Sequence, residues 1–292
     1  MSTSREFVTA DVFTDQRFGG NPLAVLPAAD GLSSEQMQAI ANEFNLSETV
    51  FVLAPQDPVH TARFRIFTPR SEMPFAGHPT IGGAVMAARA GRIHGDQVAI
   101  EEPVGVVHVV LDRVDGEVVA GTLTAARLPV GAGRAAPTAM GAVLGVDESL
   151  VGEGAVWSCG LPFVIAEVVD LDALASVSID PQAMAAELGH LDTADVYAVS
   201  PISDGRYRAR MFAPFDGIPE DPATGSAACA FAGWWAARVE PPDGEHGVVL
   251  EQGVEMGRPS ELSVGIGVQG GRVARVTVGG SVVPVQAGTI TV

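Results

Sequence analysis

A chain of 292 residues with 47% hydrophobic content can fill the cores of two ordinary domains or one large one. Its 35 acidic and 17 basic residues leave a formal charge of −18, which repels nucleic acid and anionic membranes and points to a small molecule as partner. No basic segment leads into an apolar run, and no run reaches the roughly 20 apolar residues of a spanning helix, so a cytoplasmic protein without membrane contact is expected. The two cysteines, Cys159 and Cys229, form no CxxC pair, so neither a disulfide framework nor a metal site is expected.

In chain order, GGNPLAVL at 19–26 is a Gly-x-Pro turn entering an apolar strand. Ser33 and Gln36 then form a capping box, followed by Met37, Ile40, Ala41 and Phe44 at helical spacing. TVFVL at 49–53 reads as a strand and is followed by an Arg-x-Phe-x-Pro strand from Arg65. Pro79 opens a stretch of small residues, and a hairpin follows, turning at Asp115-Gly116 between alternating apolar residues.

The same succession then returns. CGLPFVIAEV at 159–168 answers the first turn and strand, and Asp180 caps a helix that Pro181 starts and Gly189 stops. VYAVS at 196–200 answers the second strand. RMFAPFDGIPEDPATGSAA from Arg210 answers RIFTPRSEMPFAGHPTIGGA from Arg65, and a second hairpin turns at Gln269-Gly270-Gly271. Six elements recur in order, so two pseudo-symmetric halves are expected, 1–127 and 138–292, with the loop-rich segment 128–137 as linker and the last strand able to return to the N-terminal half.

The helices opened by Pro79 and Pro222, over 81–90 and 223–237, are apolar all round yet too short to span a membrane. Each is therefore expected to be wrapped by protein, as the central helix of a curved, mainly antiparallel sheet in an α+β fold.

The two helix starts are natural anion cradles, and Gly77-His78-Pro79 and Glu220-Asp221-Pro222 sit there. If they faced one cleft, one start could hold a carboxylate while polar groups from the other did chemistry. Glycines at 77, 82, 83 and 225 would admit a ligand close to the backbone, and His78 would add positive potential. Each residue also has a structural reading: Asp221 as an N-cap, His78 as a histidine bonded to backbone, Ser226 as a packing residue. Glu48 lies where a helix ends and an apolar strand begins, so Leu46, Val50 and Phe51 could desolvate it and raise its pKa; its other reading is an exposed strand-end carboxylate. Aligning the halves sets Ala194 opposite Glu48, to within one residue, so a single carboxylate base is expected. Gly265-x-Gly267-x-x-Gly270 matches a dinucleotide fingerprint but lies in a hairpin, and no P-loop, GxSxG or HExxH motif is present.

Taken together, GGNPLAV, NLSETVF, FTPRSEMPFAGHPTIG, EDPATGSAA and QGVEMGRPSEL resemble the phenazine-biosynthesis F (PhzF-like) family from about residue 6 to the C-terminus. The resemblance implies the diaminopimelate-epimerase-like fold and a cofactor-free isomerase acting on a small carboxylate, as in trans-2,3-dihydro-3-hydroxyanthranilate isomerase, and usually a homodimer. It implies Glu48 as the base that takes and returns a proton, His78, Asp221 and Ser226 as substrate-binding groups, and Gly77 as donor of a backbone N–H. Arg258 and Ser260 also match the family, with a turn-stabilising role standing beside a site role. Racemases on this fold use two cysteines at the helix starts; here those places hold His78 and Asp221, which disfavours thiol chemistry. Another cofactor-free epimerase or lyase, or a ligand-binding protein without catalysis, are the alternatives.

Overall fold

The apolar runs picked out along the sequence are strands in a computed structural model of the chain, which describes residues 4–191 and 193–292. The chain divides into two units, Met1–Thr124 with Gly279–Val292, and Ala125–Val278.

The first unit contains β1 (Ser4–Val12), β2 (Asn21–Leu26), α1 (Ser34–Phe44), β3 (Glu48–Leu53), β4 (Ala62–Phe67), β5 (Glu72–Met73), α2 (Gly77–Arg89), β6 (Gln97–Glu102), β7 (Gly105–Val114) and β8 (Glu117–Thr124). The capping box at the start of α1 is formed in both directions, and Met37, Ile40 and Ala41 are buried. β2 and β3 run parallel on either side of α1, β4 and β6 run parallel on either side of α2, and the remaining pairings are antiparallel. The β7–β8 hairpin turns at Asp115 and Gly116, both at positive φ of 51° and 85°, the left-handed pair that a two-residue hairpin requires.

In α2 every residue from His78 to Ala87 is buried. A helix without a polar face has no water-compatible side, so the sheet encloses it. A Cβ on Gly82 would come within 2.6 Å of Leu23 and Val12, and one on Gly83 within 3.0 Å of Phe64 and Val50. These two glycines therefore serve close contact between helix and sheet. They do not open the backbone to a ligand, as the sequence suggested.

The second unit contains β9 (Val130–Ala135), α3 (Pro137–Leu144), β10 (Gly154–Ser158), β11 (Pro162–Glu167), α4 (Leu171–Ser176), α5 (Pro181–Leu188), β12 (Val196–Ser203), β13 (Arg206–Ala213), β14 (Ile218–Asp221), α6 (Gly225–Val239), β15 (Gly244–Gln252), β16 (Ser260–Gln269) and the start of β17 (Arg272–Thr291). The segment 128–137, expected as a linker, is mostly strand: β9 pairs antiparallel with β10, because its backbone finds a ladder partner. β11 and β12 are parallel, as are β13 and β15 around α6, while β12–β13 and β15–β16 are antiparallel. Asp180 accepts from the N–H groups of Gln182 and Ala183 and so caps α5 as its position demands. Residues Ala227–Trp235 of α6 are buried. From Gly279 onward β17 belongs to the first unit, where it pairs antiparallel with β1 from Val12↔Val282 to Ser4↔Thr291. Among the described residues no helix is long and apolar enough to cross a membrane.

Candidate active site

In the first unit, the turn after α1 delivers Glu48 as the first residue of β3, beside Leu23 of the parallel strand β2. Its carboxyl Oε2 lies 3.2 Å from His78 Nε2 on α2, and the two side chains are only 14% and 8% exposed. Burial pushes the His78 imidazole down to about 3, so at neutral pH the ring is uncharged. A carboxylate beside it pulls the other way, but lost hydration dominates. The pair is therefore a close contact between a carboxyl group and a neutral imidazole, and His78 does not supply the positive charge expected of it. The N-cap of α2 is Ala76, which has no side-chain acceptor, so the first-turn N–H groups at Gly77 and His78 receive no cap from it.

In the second unit, Asp221 ends β14 and is 9% exposed. The helix expected from Pro222 begins three residues later, at Gly225, with Thr224 as N-cap. Thr224 makes no capping bond because its hydroxyl donates to Asp221 Oδ2 at 2.5 Å. Asp221 is thus held by the cap residue and is not itself the N-cap. Ser226 is half-buried in the first turn of α6.

Sequence reading missed the side chain that organises this corner. Gln252, fully buried, donates through Nε2 to the Asp221 carbonyl at 2.8 Å and to Thr224 Oγ1 at 3.0 Å. Its Oε1 accepts from Thr224 N–H at 3.2 Å and from Tyr197 Oη at 3.1 Å. Burial, and then the Asp221 charge, push the Tyr197 phenol up, which keeps it a donor at any physiological pH. The only sequence signal was that Gln252 opens the QGVEMGRPSEL motif. The Ser260 hydroxyl in the same motif lies 2.9 Å from the carbonyl of Pro222 and 3.1 Å from that of Arg258, so its one proton braces the turn before α6 through one or the other.

The two registers correct the expectation of a lone carboxylate. Leu23, after Pro22, faces Glu48; Val164 faces Val196, so Phe163, after Pro162, corresponds to Asp195. Ala194 instead packs against the apolar core of its unit. Burial, aided by repulsion from Asp216, raises Asp195 to about 6. Each unit therefore carries a carboxylate at this place, and only the first pairs it with histidine.

The cysteines lie elsewhere. Burial pushes the Cys159 thiol up to about 12 and Cys229 higher still, so neither offers a thiolate at neutral pH. Iodoacetamide at pH 8 should leave both thiols of the folded protein unmodified over hours, by mass spectrometry, and label them readily in urea. Rapid labelling without denaturant would show that the thiols are open.

These sites sit on a known scaffold. A crystal structure of a PhzF-family phenazine biosynthesis protein from Bacillus anthracis superposes with a TM-score of 0.90 at 23% identity, covering 99% of this chain and all of that one, which establishes the fold. The family model described as phenazine biosynthesis-like protein matches residues 10–288, and the chain belongs to that family. An uncharacterised isomerase from Mesorhizobium japonicum is 42% identical, over 98% of this chain and 99% of its own length. The trans-2,3-dihydro-3-hydroxyanthranilate isomerase of Pseudomonas aeruginosa is 37% identical, over 94% of this chain and 95% of its own. The protein is an isomerase of this family.

Proposed function

We propose that the chain is a cofactor-independent isomerase of a small cyclic carboxylic acid, acting as the Pseudomonas aeruginosa relative is named to act, on trans-2,3-dihydro-3-hydroxyanthranilate or a close analogue. The observation that carries this reading is the buried Glu48–His78 contact at 3.2 Å beside a helix start whose cap residue offers no acceptor. Glu48 removes a proton from one ring carbon, the double bonds shift, and the same carboxyl returns a proton to another carbon. No electron is gained or lost, so the reaction balances without a redox partner. His78, neutral, donates or accepts one hydrogen bond and keeps the base oriented. The Gly77 N–H and the helix dipole stabilise the charge that develops on the substrate. Asp221, fixed by Thr224, and Ser226 are assigned to substrate binding.

The test is turnover of the dihydrohydroxyanthranilate by absorbance, with deuterium incorporation from heavy water read by mass spectrometry. Exchange at carbon with product formation supports the isomerase; exchange without product points to an epimerase, and tight binding with neither to a binding protein. His78→Ala should lower turnover by about 10 to 100-fold and also weaken affinity, because the ring both orients the base and contacts substrate. A variant with unchanged affinity and rate would remove His78 from the site.

A further inference from the structure

Glu102 ends β6 where that strand parts from β4, whose register with it runs Ala62↔Ile100 and Arg63↔Glu101. It is 7% exposed, and its Oε1 lies 2.7 Å from the fully buried Thr80 Oγ1 on α2. The same hydroxyl is 2.8 Å from the carbonyl of Ala76, the N-cap residue. A hydroxyl has one proton and a carbonyl has none to give. That proton can serve Glu102 or Ala76, whose carbonyl also accepts the Thr80 backbone N–H at 3.1 Å; when it serves Ala76, the short contact to Glu102 takes its proton from Glu102 itself. Among the described residues the second oxygen, Oε2, is buried without a hydrogen-bond partner, a position that a charged carboxylate would occupy at great cost.

The second unit builds its corner by the same logic. Gln252 closes the stretch of β15 that pairs with β13, opposite Ala209 and one residue past Arg208↔Glu251, as Glu102 comes one residue past Arg63↔Glu101. Its Nε2 donates to the Thr224 hydroxyl at 3.0 Å, and that hydroxyl donates onward to Asp221. A permanent amide donor does in one unit what a carboxylic acid does in the other. We propose that Glu102 is a positioning residue that works in its acid form, donating to Thr80 so that Thr80 can hold the Ala76 carbonyl and fix the first turn of α2, with Gly77 and His78 on it.

Burial holds the Glu102 carboxyl at about 8, in keeping with this role. The other ionisable groups lining the adjoining cavity are His60, Arg63, Arg65, Glu72 and Glu101. His60 is engaged with Glu101 at 2.9 Å and Arg65 with Glu72 at 2.6 Å. On α2 itself the nearest such group is His78, held against Glu48. Among the described residues none of these forms a hydrogen bond to Glu102.

The consequence for catalysis rests on the reading of Gly77 and His78 given above; the protonation state does not. Because the folded pKa lies above the ordinary carboxylate value, stability from this group is full below about 4.5 and is lost as pH rises toward about 8. In urea titrations of ligand-free protein, the folding constant of Glu102→Gln relative to wild type should rise roughly a thousandfold across that window and then level off. A ratio independent of pH overturns the proposal. The Glu102 carboxyl carbon of the wild type, followed by NMR, should titrate near pH 8; a group already ionised at pH 6 overturns it even if the variant folds poorly. In the isomerase assay, Glu102→Gln should keep wild-type turnover at pH 7 and hold its affinity above pH 8, where the wild type weakens. Thr80→Val should cost about tenfold in turnover at every pH. If Glu102 titrates near 8 while the wild type neither isomerises the substrate nor exchanges its carbon-bound hydrogen, the isomerase reading fails and this assignment stands; if Glu102→Gln loses turnover at pH 7, its donor role is wrong whatever the reaction.

Discussion

Replacing Glu48 by Gln should abolish isomerisation, by at least the 10² to 10⁴-fold that a lost general base costs, while melting temperature and ligand affinity stay close to wild type. Gln keeps the length and hydrogen-bonding reach of Glu at the head of β3, so the 3.2 Å neighbour His78 still finds a partner. What it cannot do is accept a proton from carbon. His78 is a weak substitute base, since burial holds its pKa at about 3, and little residual rate should come from that side. Turnover and deuterium incorporation, measured with thermal denaturation of the same preparation, separate lost chemistry from lost structure. A variant that still exchanges carbon-bound hydrogen at the wild-type rate would take the base elsewhere.

The largest loss of stability is expected from Arg210→Met. Arg210 is 8% exposed and its guanidinium is engaged all round. It donates through two nitrogens to Glu220, both at 2.9 Å, and through Nη1 to the carbonyls of Leu174, Ala175 and Val177 at 3.1, 3.3 and 2.9 Å. Those carbonyls belong to the end of α4, where the Val177 N–H reaches Leu174 but no further helical turn follows. Removing the cation strands a largely buried carboxylate and the helix end together, a loss of about 3 to 5 kcal/mol in urea denaturation. Arg65→Met is the internal comparison: its bond pair to Glu72, at 2.7 and 2.6 Å, is more exposed, so about 1 kcal/mol or less is expected. Similar losses for both would mean that burial does not set the cost. Glu220 directly precedes Asp221, so Arg210→Met should also weaken ligand binding.

What could be read in the sequence were features governed by neighbours along the chain. The capping box of Ser33 and Gln36, the Asp180-Pro181 helix start and the Asp115-Gly116 turn each follow from local backbone chemistry. Glu48 and His78 could be named as candidates, but their contact joins positions 30 residues apart and is a product of how β3 lies on α2. Gln252 was invisible as a function-bearing residue because its partners, Asp221, Thr224 and Tyr197, are 28 to 55 residues away. The start of α6 was misplaced because Pro222 has the look of a first helical residue, while Thr224 spends its hydroxyl on Asp221. Asp195 was lost to a one-residue slip that only strand register corrects. The charge of His78 depends on how much water reaches it, which spacing along a chain does not report.

The return of β17 to the first unit sets a timetable for synthesis. Residues 1–124 leave the ribosome before the rest of this sequence, yet the partner of one whole edge of β1 lies in Gly279–Val292, after all of Ala125–Val278 has been made. At about 5 to 20 residues per second, that interval is on the order of 10 s. Throughout it β1 has β2 on one side and a bare row of amide and carbonyl groups on the other, the kind of edge that recruits stray strands. The nascent chain therefore depends on the fourteen residues Gly279–Val292 to silence an edge made long before them, and a ribosome stalled in the second unit would hold out an unfinished sheet.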